Sequence, residues 1–165
     1  MTRPQASGPP LLSLDCLSLT DTPPAELIRA GAAAGFDCVS LWLQPPSVYP
    51  AMQVTADNTR ECERLLADTG VRVRSLEAFD IASEQAIESY RPAMELGARL
   101  GGKVALAYNL TVEDLGQAAD LLARFAETAA EFGLGTTIEP IISAQTTTLA
   151  QARDLIRASG ADTRI

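Results

Sequence analysis

Residues 125–139 read FAETAAEFGLGTTIE: a helix-like stretch, a glycine, an apolar and β-branched run, and a terminal acid. Glycine takes the left-handed conformation past a helix end at least cost, so Gly133 predicts a helix stop before a strand. The other glycines that follow alanine- and leucine-rich stretches are Gly35, Gly70, Gly101 and Gly160. Their spacings of 35, 31, 32 and 27 residues (70−35, 101−70, 133−101, 160−133) fit one strand and one helix per unit.

Five apolar runs alternate with the helical stretches. The predicted strands lie near Leu11–Leu19, Cys38–Leu43, Val71–Phe79, Lys103–Tyr108 and Leu134–Ile141. The helix between the last two is predicted over Val112–Phe132, with a capping box at Thr111–Asp114. Such alternation favours a parallel sheet with right-handed crossovers. Both an open doubly wound sheet and part of a (β/α)8 barrel meet this pattern.

The ends of the chain suggest its domain organisation. Residues 1–10 contain prolines, glycine and polar residues, so we expect a flexible segment there and one α/β domain over residues 11–165. Residues 160–165 resemble the approach to a sixth strand. We therefore expect about five βα units, truncated before strand 6.

Composition excludes several classes of function. With 13 basic and 21 acidic residues the net charge is −8, which disfavours nucleic acid and anionic membranes as partners and leaves small molecules or proteins. The absence of histidine excludes Ser-His and Cys-His catalytic dyads and histidine-dependent metal sites within this chain. No signal peptide or membrane span is apparent, so a cytoplasmic location is expected.

The parity of each strand predicts which side chains face the barrel interior, because bulky aliphatic residues are expected on the helix side. On strand 1, the alternation does not decide whether Asp15 or Cys16 faces inward. The inward residues predicted on strands 2 to 5 are Ser40, Trp42 and Gln44; Ser75, Glu77 and Phe79; Ala105, Ala107 and Asn109; and Gly135, Thr137 and Glu139.

Polar members of this set lie at the carboxyl ends of the strands, where barrel and doubly wound enzymes place their sites. Glu77 and Glu139 could bind a divalent cation or act as an acid and a base. Gln44 and Asn109 are candidate substrate contacts, and Trp42 could stack on a sugar face. The alternatives are a helix cap or an arginine ion pair for either glutamate, rim packing for Trp42 and a simple loop role for Asn109.

Three segments resemble the xylose-isomerase-like (β/α)8 barrel superfamily of sugar and sugar-phosphate isomerases and epimerases: residues 34–41 (AGFDCVSL), residues 69–77 (TGVRVRSLE) and residues 132–140 (FGLGTTIEP). The resemblance runs from about Leu12 to Ile165 and implies a partial TIM barrel of five βα units. It implies metal-assisted proton transfer through an enediol. Endonuclease-IV-like DNA repair enzymes share the superfamily, but their histidine-rich metal cluster cannot be built here.

The resemblance also suggests individual roles. Glu139 would be a ligand of a divalent metal (Mn, Mg, Co or Zn) and one acid/base group, and Glu77 a substrate contact. In the family, an aspartate on strand 6 and ligands on strands 7 and 8 complete the metal site, so the site in this chain is expected to be incomplete. The main hypothesis is an isomerase or epimerase that acts as part of a complete barrel. The alternatives are a non-catalytic module that pairs through its strand edges, with a second copy or a missing C-terminal half, and an open doubly wound small-molecule binder.

Overall fold

The computed structural model describes residues 10–45, 47 and 49–164, so the predicted flexible segment lies outside it except for Pro10. The strands are β1 (Ser13–Leu14), β2 (Cys38–Trp42), β3 (Arg72–Asp80), β4 (Val104–Tyr108), β5 (Gly135–Ile138) and β6 (Thr163–Arg164). The α-helices are α1 (Pro24–Ala33), α2 (Ala56–Thr69), α3 (Glu84–Ser89), α4 (Arg91–Arg99), α5 (Leu115–Glu131) and α6 (Leu149–Ser159), and short 3₁₀ turns cover Cys16–Leu19 and Pro50–Met52.

The strand order decides between the two architectures that the sequence left open. The described strands form one sheet in the order β1-β2-β3-β4-β5-β6, and every neighbouring pair is parallel. A doubly wound sheet reverses its strand order at a switch point, whereas a barrel adds each unit beside the last. The prediction of a partial barrel with five βα units is therefore confirmed, and two residues of a sixth strand pair with β5.

The helix stops are confirmed as well. The five glycines named above all have positive φ, between 64° and 83°, as a left-handed helix end requires. The start predicted for the helix over Val112–Phe132 is wrong. Asp114 and not Thr111 caps α5, because its Oδ1 accepts a hydrogen bond of 2.8 Å from the backbone N–H of Gln117.

Strand β1 is shorter than predicted because Asp15 ends it. The Asp15 Oδ1 atom accepts a hydrogen bond of 2.9 Å from the backbone N–H of Leu17 and so caps a 3₁₀ turn. A side chain that bonds its own backbone in this way favours a turn over an extended strand. Asp15 and Cys16 therefore both lie at the carboxyl end of β1.

The main core lies between the sheet and its helices. Leu41, Leu76 and Ala105 are register partners in one row across β2, β3 and β4, and all three are buried. Helix α4 approaches this row closely because Gly97 has no side chain. A Cβ atom built there would lie 2.4 Å from Cδ1 of Leu76.

An irregularity in β3 changes which residues face the interior. Leu76 pairs with Ala105 and Phe79 with Ala107, so three steps along β3 match two along β4. The extra residue reverses the parity of the strand end. Phe79 therefore faces the helices, with its ring 5.6 Å from that of Phe125, and its predicted inward orientation is wrong.

Strand β4 also has the parity opposite to the predicted one. Ala105 and Ala107 are fully buried, whereas Val104, Leu106 and Tyr108 are half-buried. Ala107 is the register partner of Phe79, and its small side chain leaves room for the aromatic rings that pack on the sheet there. The rule that places bulky aliphatics against the helices thus fails on this strand.

Candidate functional site

A cavity of about 520 Å³ opens at the carboxyl ends of β2 to β5. Its wall includes Trp42, Gln44, Glu77, Tyr108 and Glu139. The predicted candidates from β2, β3 and β5 therefore come together. Further cavities lie elsewhere on the described part of the chain, and none of those is lined by a pair of glutamates.

Glu77 is the more deeply buried of the two acids, with only 4% of its surface exposed. It is the register partner of Trp42, and its backbone carbonyl accepts hydrogen bonds from the N–H groups of Leu43 (2.6 Å) and Gln44 (3.1 Å). Burial raises the pKa of Glu77 to about 8, with the negative charge of Asp15 and a hydrogen bond to it as the next causes. The side chain is therefore largely protonated at neutral pH.

Asp15 and Cys16 join Glu77 in a cluster that the sequence analysis did not identify. The nearest ligand-type atoms of these three side chains all lie within 4.8 Å of one another. Burial, followed by the charge of Glu77, raises the pKa of Cys16 to about 12, so this residue is a thiol at neutral pH. The only sequence signal was the unresolved choice between Asp15 and Cys16 on strand 1.

Ser40 links this cluster to β2. Its Oγ atom accepts a hydrogen bond of 2.8 Å from the backbone N–H of Cys16 and donates one of 3.1 Å to Oδ2 of Asp15. Ser40 thereby confirms its predicted inward orientation. It also orients the Asp15 carboxylate toward Glu77.

Glu139 lies on the β5 side of the cavity and continues the ladder to β4 through a hydrogen bond of 2.9 Å from its N–H to the carbonyl of Ala107. Its pKa is raised above the ordinary value by partial burial and by the charge of Asp15. Among the described residues, its carboxylate has no ion pair or hydrogen bond. The alternative of an arginine pair is likewise not seen for Glu77, since Arg91 pairs with Glu131 and Glu88 instead.

Trp42 is buried in the cavity wall more deeply than a residue that stacks its ring face on a sugar needs to be. Its ring stacks on Tyr49 with centroids 5.9 Å apart and an interplanar angle of 20°, so Tyr49 covers one of its faces. Only 4% of Trp42 is exposed. Within the described residues its Nε1–H finds no hydrogen-bond acceptor.

Asn109 is the predicted site residue that does not reach the cavity. Its Oδ1 accepts from the N–H of Val112 (3.0 Å) and its Nδ2 donates to the carbonyl of the same residue (2.9 Å). These bonds close the turn that leads into α5. The predicted inward orientation of Asn109 is wrong because β4 has the opposite parity, and Tyr108 lines the cavity in its place.

The fold agrees with the comparisons. A family model for the xylose isomerase-like TIM barrel matches residues 28–165, which is most of the chain. The chain therefore belongs to the xylose isomerase-like TIM barrel family. A sequence search of curated proteins finds no significant match. The described residues include no helix long and apolar enough to cross a membrane.

Solved structures show the same fold at low sequence identity. A xylose isomerase domain containing protein from Salmonella typhimurium LT2 has a TM-score of 0.76 and 14% identity, over 94% of this chain and 61% of its own. D-allulose 3-epimerase from Methylomonas sp., also solved with D-allulose, has a TM-score of 0.70 and 19% identity, over 93% of this chain and 62% of its own. A xylose isomerase-like TIM barrel protein from Mycobacterium smegmatis in complex with magnesium has a TM-score of 0.69 and 13% identity, over 93% of this chain and 62% of its own. The chain thus spans about three fifths of the length of these structures.

Proposed function

We propose that this chain is the N-terminal part of a sugar or sugar-phosphate isomerase or epimerase, which works by metal-assisted proton transfer through an enediol in a complete barrel. The observation that carries the proposal is the half-buried carboxylate of Glu139, which lies on the wall of the same cavity as Glu77 and has no ion-pair or hydrogen-bond partner among the described residues. Family membership and a structural neighbour that is a sugar epimerase support it. A lone carboxylate in such a position is costly unless it serves a bound group or a reaction.

A divalent metal fits the donor chemistry of this wall. Hard cations prefer carboxylate oxygens, and Glu139 offers one with no described cation beside it. Glu139 would hold the metal together with ligands from outside this chain. When bound, a divalent cation (Mn, Mg, Co or Zn) would polarise the oxygens of the substrate and make the neighbouring C–H group more acidic.

The residues of this chain would then have separate roles. Glu139 would take a proton from the substrate carbon next to the carbonyl group, because a partly desolvated carboxylate is a stronger base than a solvated one. Gln44 would bind substrate hydroxyl groups from the β2 side, and Trp42 would contact the substrate through its edge or its uncovered face. Tyr108 would lie beneath the sugar between the two acids.

Metal binding tests this proposal. We expect calorimetric titration with Mn²⁺ to give a measurable affinity for the parent chain and at least about a tenfold loss for Glu139→Gln, as expected when a ligand is removed. Glu95→Gln on the exposed face of α4 is the matched control and should bind like the parent. Equal and negligible binding by the parent and Glu139→Gln would show that this chain contains no metal site.

One observation favours the second candidate, a module that associates through a strand edge. Leu11 and Leu12 lie directly before the short edge strand β1 and are 55% and 60% exposed. Exposed apolar residues beside an unpaired edge promote pairing with another chain, either a second copy or a separate C-terminal half of the barrel. In sedimentation analysis, such association would appear as an assembly larger than one chain in the parent protein. This assembly should be lost in Leu12→Glu.

A further inference from the structure

A second cavity, of about 360 Å³, lies at the amino ends of β2 to β4, at the opposite end of the strands from the two glutamates. Its wall contains the cationic side chains of Arg72, Arg74 and Lys103, and none of the described residues that line it is acidic. Five residues (77−72) separate Arg72 from Glu77 along β3, so the two sites lie on the order of 15 Å apart. The cationic cavity is therefore separate from the candidate site described above.

The pairing of β3 with β4 brings two of the cations together. Ser75 and Val104 are register partners, so the residues directly before them, Arg74 and Lys103, lie side by side on neighbouring strands. Like charges at opposed positions of a sheet destabilise it unless a counter-charge lies between them. The fold thus holds two positive charges together at a cost in stability.

An irregularity on the other side of β3 affects the same arginine. Val39 pairs with Val73 and Ser40 pairs with Ser75, so one step along β2 matches two along β3. Arg74 is the extra residue and has no register partner on β2. A bulge of this kind redirects a side chain, and bulges are common beside binding sites. Arg74 lines the cationic cavity from this position.

The three cations differ from most of the other basic residues in the chain. Ion pairs engage Arg29, Arg64, Arg91, Arg99, Arg124, Arg153 and Arg157. In the part of the chain that the structure describes, Arg72, Arg74 and Lys103 form no ion pair. Asp162 lines an adjoining cavity of about 230 Å³ together with Arg74 and Lys103, but it pairs with neither. A chain of net charge −8 thus keeps three cations together without a partner for any of them.

We propose that this cavity binds the phosphate group of a small phosphate monoester. A dianion offsets most of the three positive charges, and guanidinium groups bind phosphate oxygens in pairs. The buried side chains of Val71 and Leu100 and the exposed side chain of Leu11 line the same cavity and can contact the organic group of the ester. The volume lies in the range of small-molecule sites.

The distribution of charge favours a small anion over a polymer. Nucleic acid needs a basic surface that follows many phosphates, whereas these three cations are confined to one cavity on an acidic chain. The site involves neither the metal nor the proton transfer proposed above. It is therefore a second binding site, independent of the proposed function.

Phosphate binding can be followed in the parent chain without any substitution. Inorganic phosphate and phenyl phosphate are titrated separately at constant ionic strength, with sodium chloride as the balancing salt, and the ¹⁵N–¹H NMR signals are recorded. We expect saturable shifts of the Nε–H signals of Arg72 and Arg74 and of the backbone amide of Lys103. Phenyl phosphate should bind at least about threefold more tightly than inorganic phosphate, because its ring can contact Leu11 and Leu100.

Two results of this titration would count against the proposal. Shifts that do not saturate, or no shifts, would show that the cavity binds no phosphate. Equal affinities for the two probes would overturn the assignment to an ester and leave free phosphate as the ligand.

Substitutions test whether the cavity is the site of binding. Arg74→Gln and Lys103→Gln should each weaken the binding of phenyl phosphate about tenfold, because each removes a charge-assisted hydrogen bond. Arg60→Gln, at an exposed cation on α2 outside the cavity, is the matched control and should bind like the parent. Asp162→Asn should bind at least as tightly as the parent, since it removes a negative charge beside the site. Parental affinity in both cavity variants, or an equal loss in Arg60→Gln, would overturn the site.

Urea denaturation separates a binding role from a structural one. In chloride buffer, Arg74→Gln should have a midpoint equal to or above that of the parent, because it removes repulsion from Lys103. Saturating phenyl phosphate should raise the midpoint of the parent and change that of Arg74→Gln much less, because a ligand stabilises only the folded chain that binds it. A midpoint for Arg74→Gln in chloride that falls below that of Arg60→Gln would show that Arg74 has an internal partner, and would overturn the proposal. These measurements use neither metal nor sugar, so their failure leaves the proposed function untouched.

Discussion

Replacing Glu77 by glutamine should stabilise the fold at neutral and alkaline pH and change little in acid. Glu77 is almost fully buried, and its pKa is raised from 4.5 to about 8 mainly by that burial. Between these two values the folded chain holds a proton that the unfolded chain has released. The free energy of unfolding therefore decreases as pH rises through this window. Glutamine has nearly the same shape and no proton to lose, so it removes this pH dependence.

The size of the effect follows from the shift in pKa. Between 4.5 and pH 7 there are 2.5 units, which correspond to about 3 kcal/mol at about 1.4 kcal/mol per unit. Above pH 8 the full shift of about 3.5 units corresponds to about 5 kcal/mol. Both figures are upper limits, because local relaxation on ionisation lowers the cost. Below pH 4.5 the parent and Glu77→Gln should be equally stable.

Urea denaturation followed by circular dichroism at pH 5, 7 and 9 measures the difference. Glu95→Gln makes the same chemical change at an exposed position. Its effect on stability is the control for the loss of one negative charge. The same stability of Glu77→Gln relative to the parent at pH 5 and at pH 9 would show that the pKa of Glu77 is not raised in the folded chain. A difference of opposite sign would mean that the Glu77 carboxylate is stabilised in the folded chain.

Three further substitutions, with Thr111→Ala as a control for the last, test the packing and the helix ends by urea denaturation. Phe79→Ala should cost about 3–5 kcal/mol, because it empties a fully buried site beside Phe125, and a cost below 1 kcal/mol would contradict its position against the helices. Gly70→Ala should cost about 1–2 kcal/mol because its φ of 73° strains any residue with a Cβ, and a stabilised variant would contradict a left-handed helix end. Asp114→Ala should cost about 1 kcal/mol through loss of the α5 cap, whereas Thr111→Ala should cost almost nothing.

Local patterns predicted the elements and most of the architecture. Each glycine stop sits at the end of its helix because positive φ is a property of a single residue and its neighbours. Glu139 could be found in the same way, since an acid at the end of an apolar strand stands out in the sequence. The regular repeat of strand and helix was sufficient for a parallel α/β sheet, whereas the choice of a partial barrel over a doubly wound sheet required the strand order.

Side-chain direction was predicted only where the strands are regular. On β2 and β5 the alternation holds, and Trp42, Gln44 and Glu139 reach the cavity as expected. On β3 one extra residue between Leu76 and Phe79 shifts everything that follows to the other face. The alternation of residues along one strand does not show where a bulge lies. The bulge becomes visible only from the pairing with the neighbouring strand.

The sequence by itself therefore determined the succession of strands and helices, the helix stops, the absence of histidine chemistry and the acid at the end of β5. Tertiary structure alone decided that Phe79 and Asn109 face away from the cavity and that Asp15 meets Glu77. The physical reason is that propensity and periodicity act within a few residues, whereas the pairing of Asp15 with Glu77 depends on the register of strands that lie far apart in the chain. The burial of Glu77, together with the charge of Asp15, then raises the pKa of Glu77 to about 8, so that this side chain holds a proton at neutral pH.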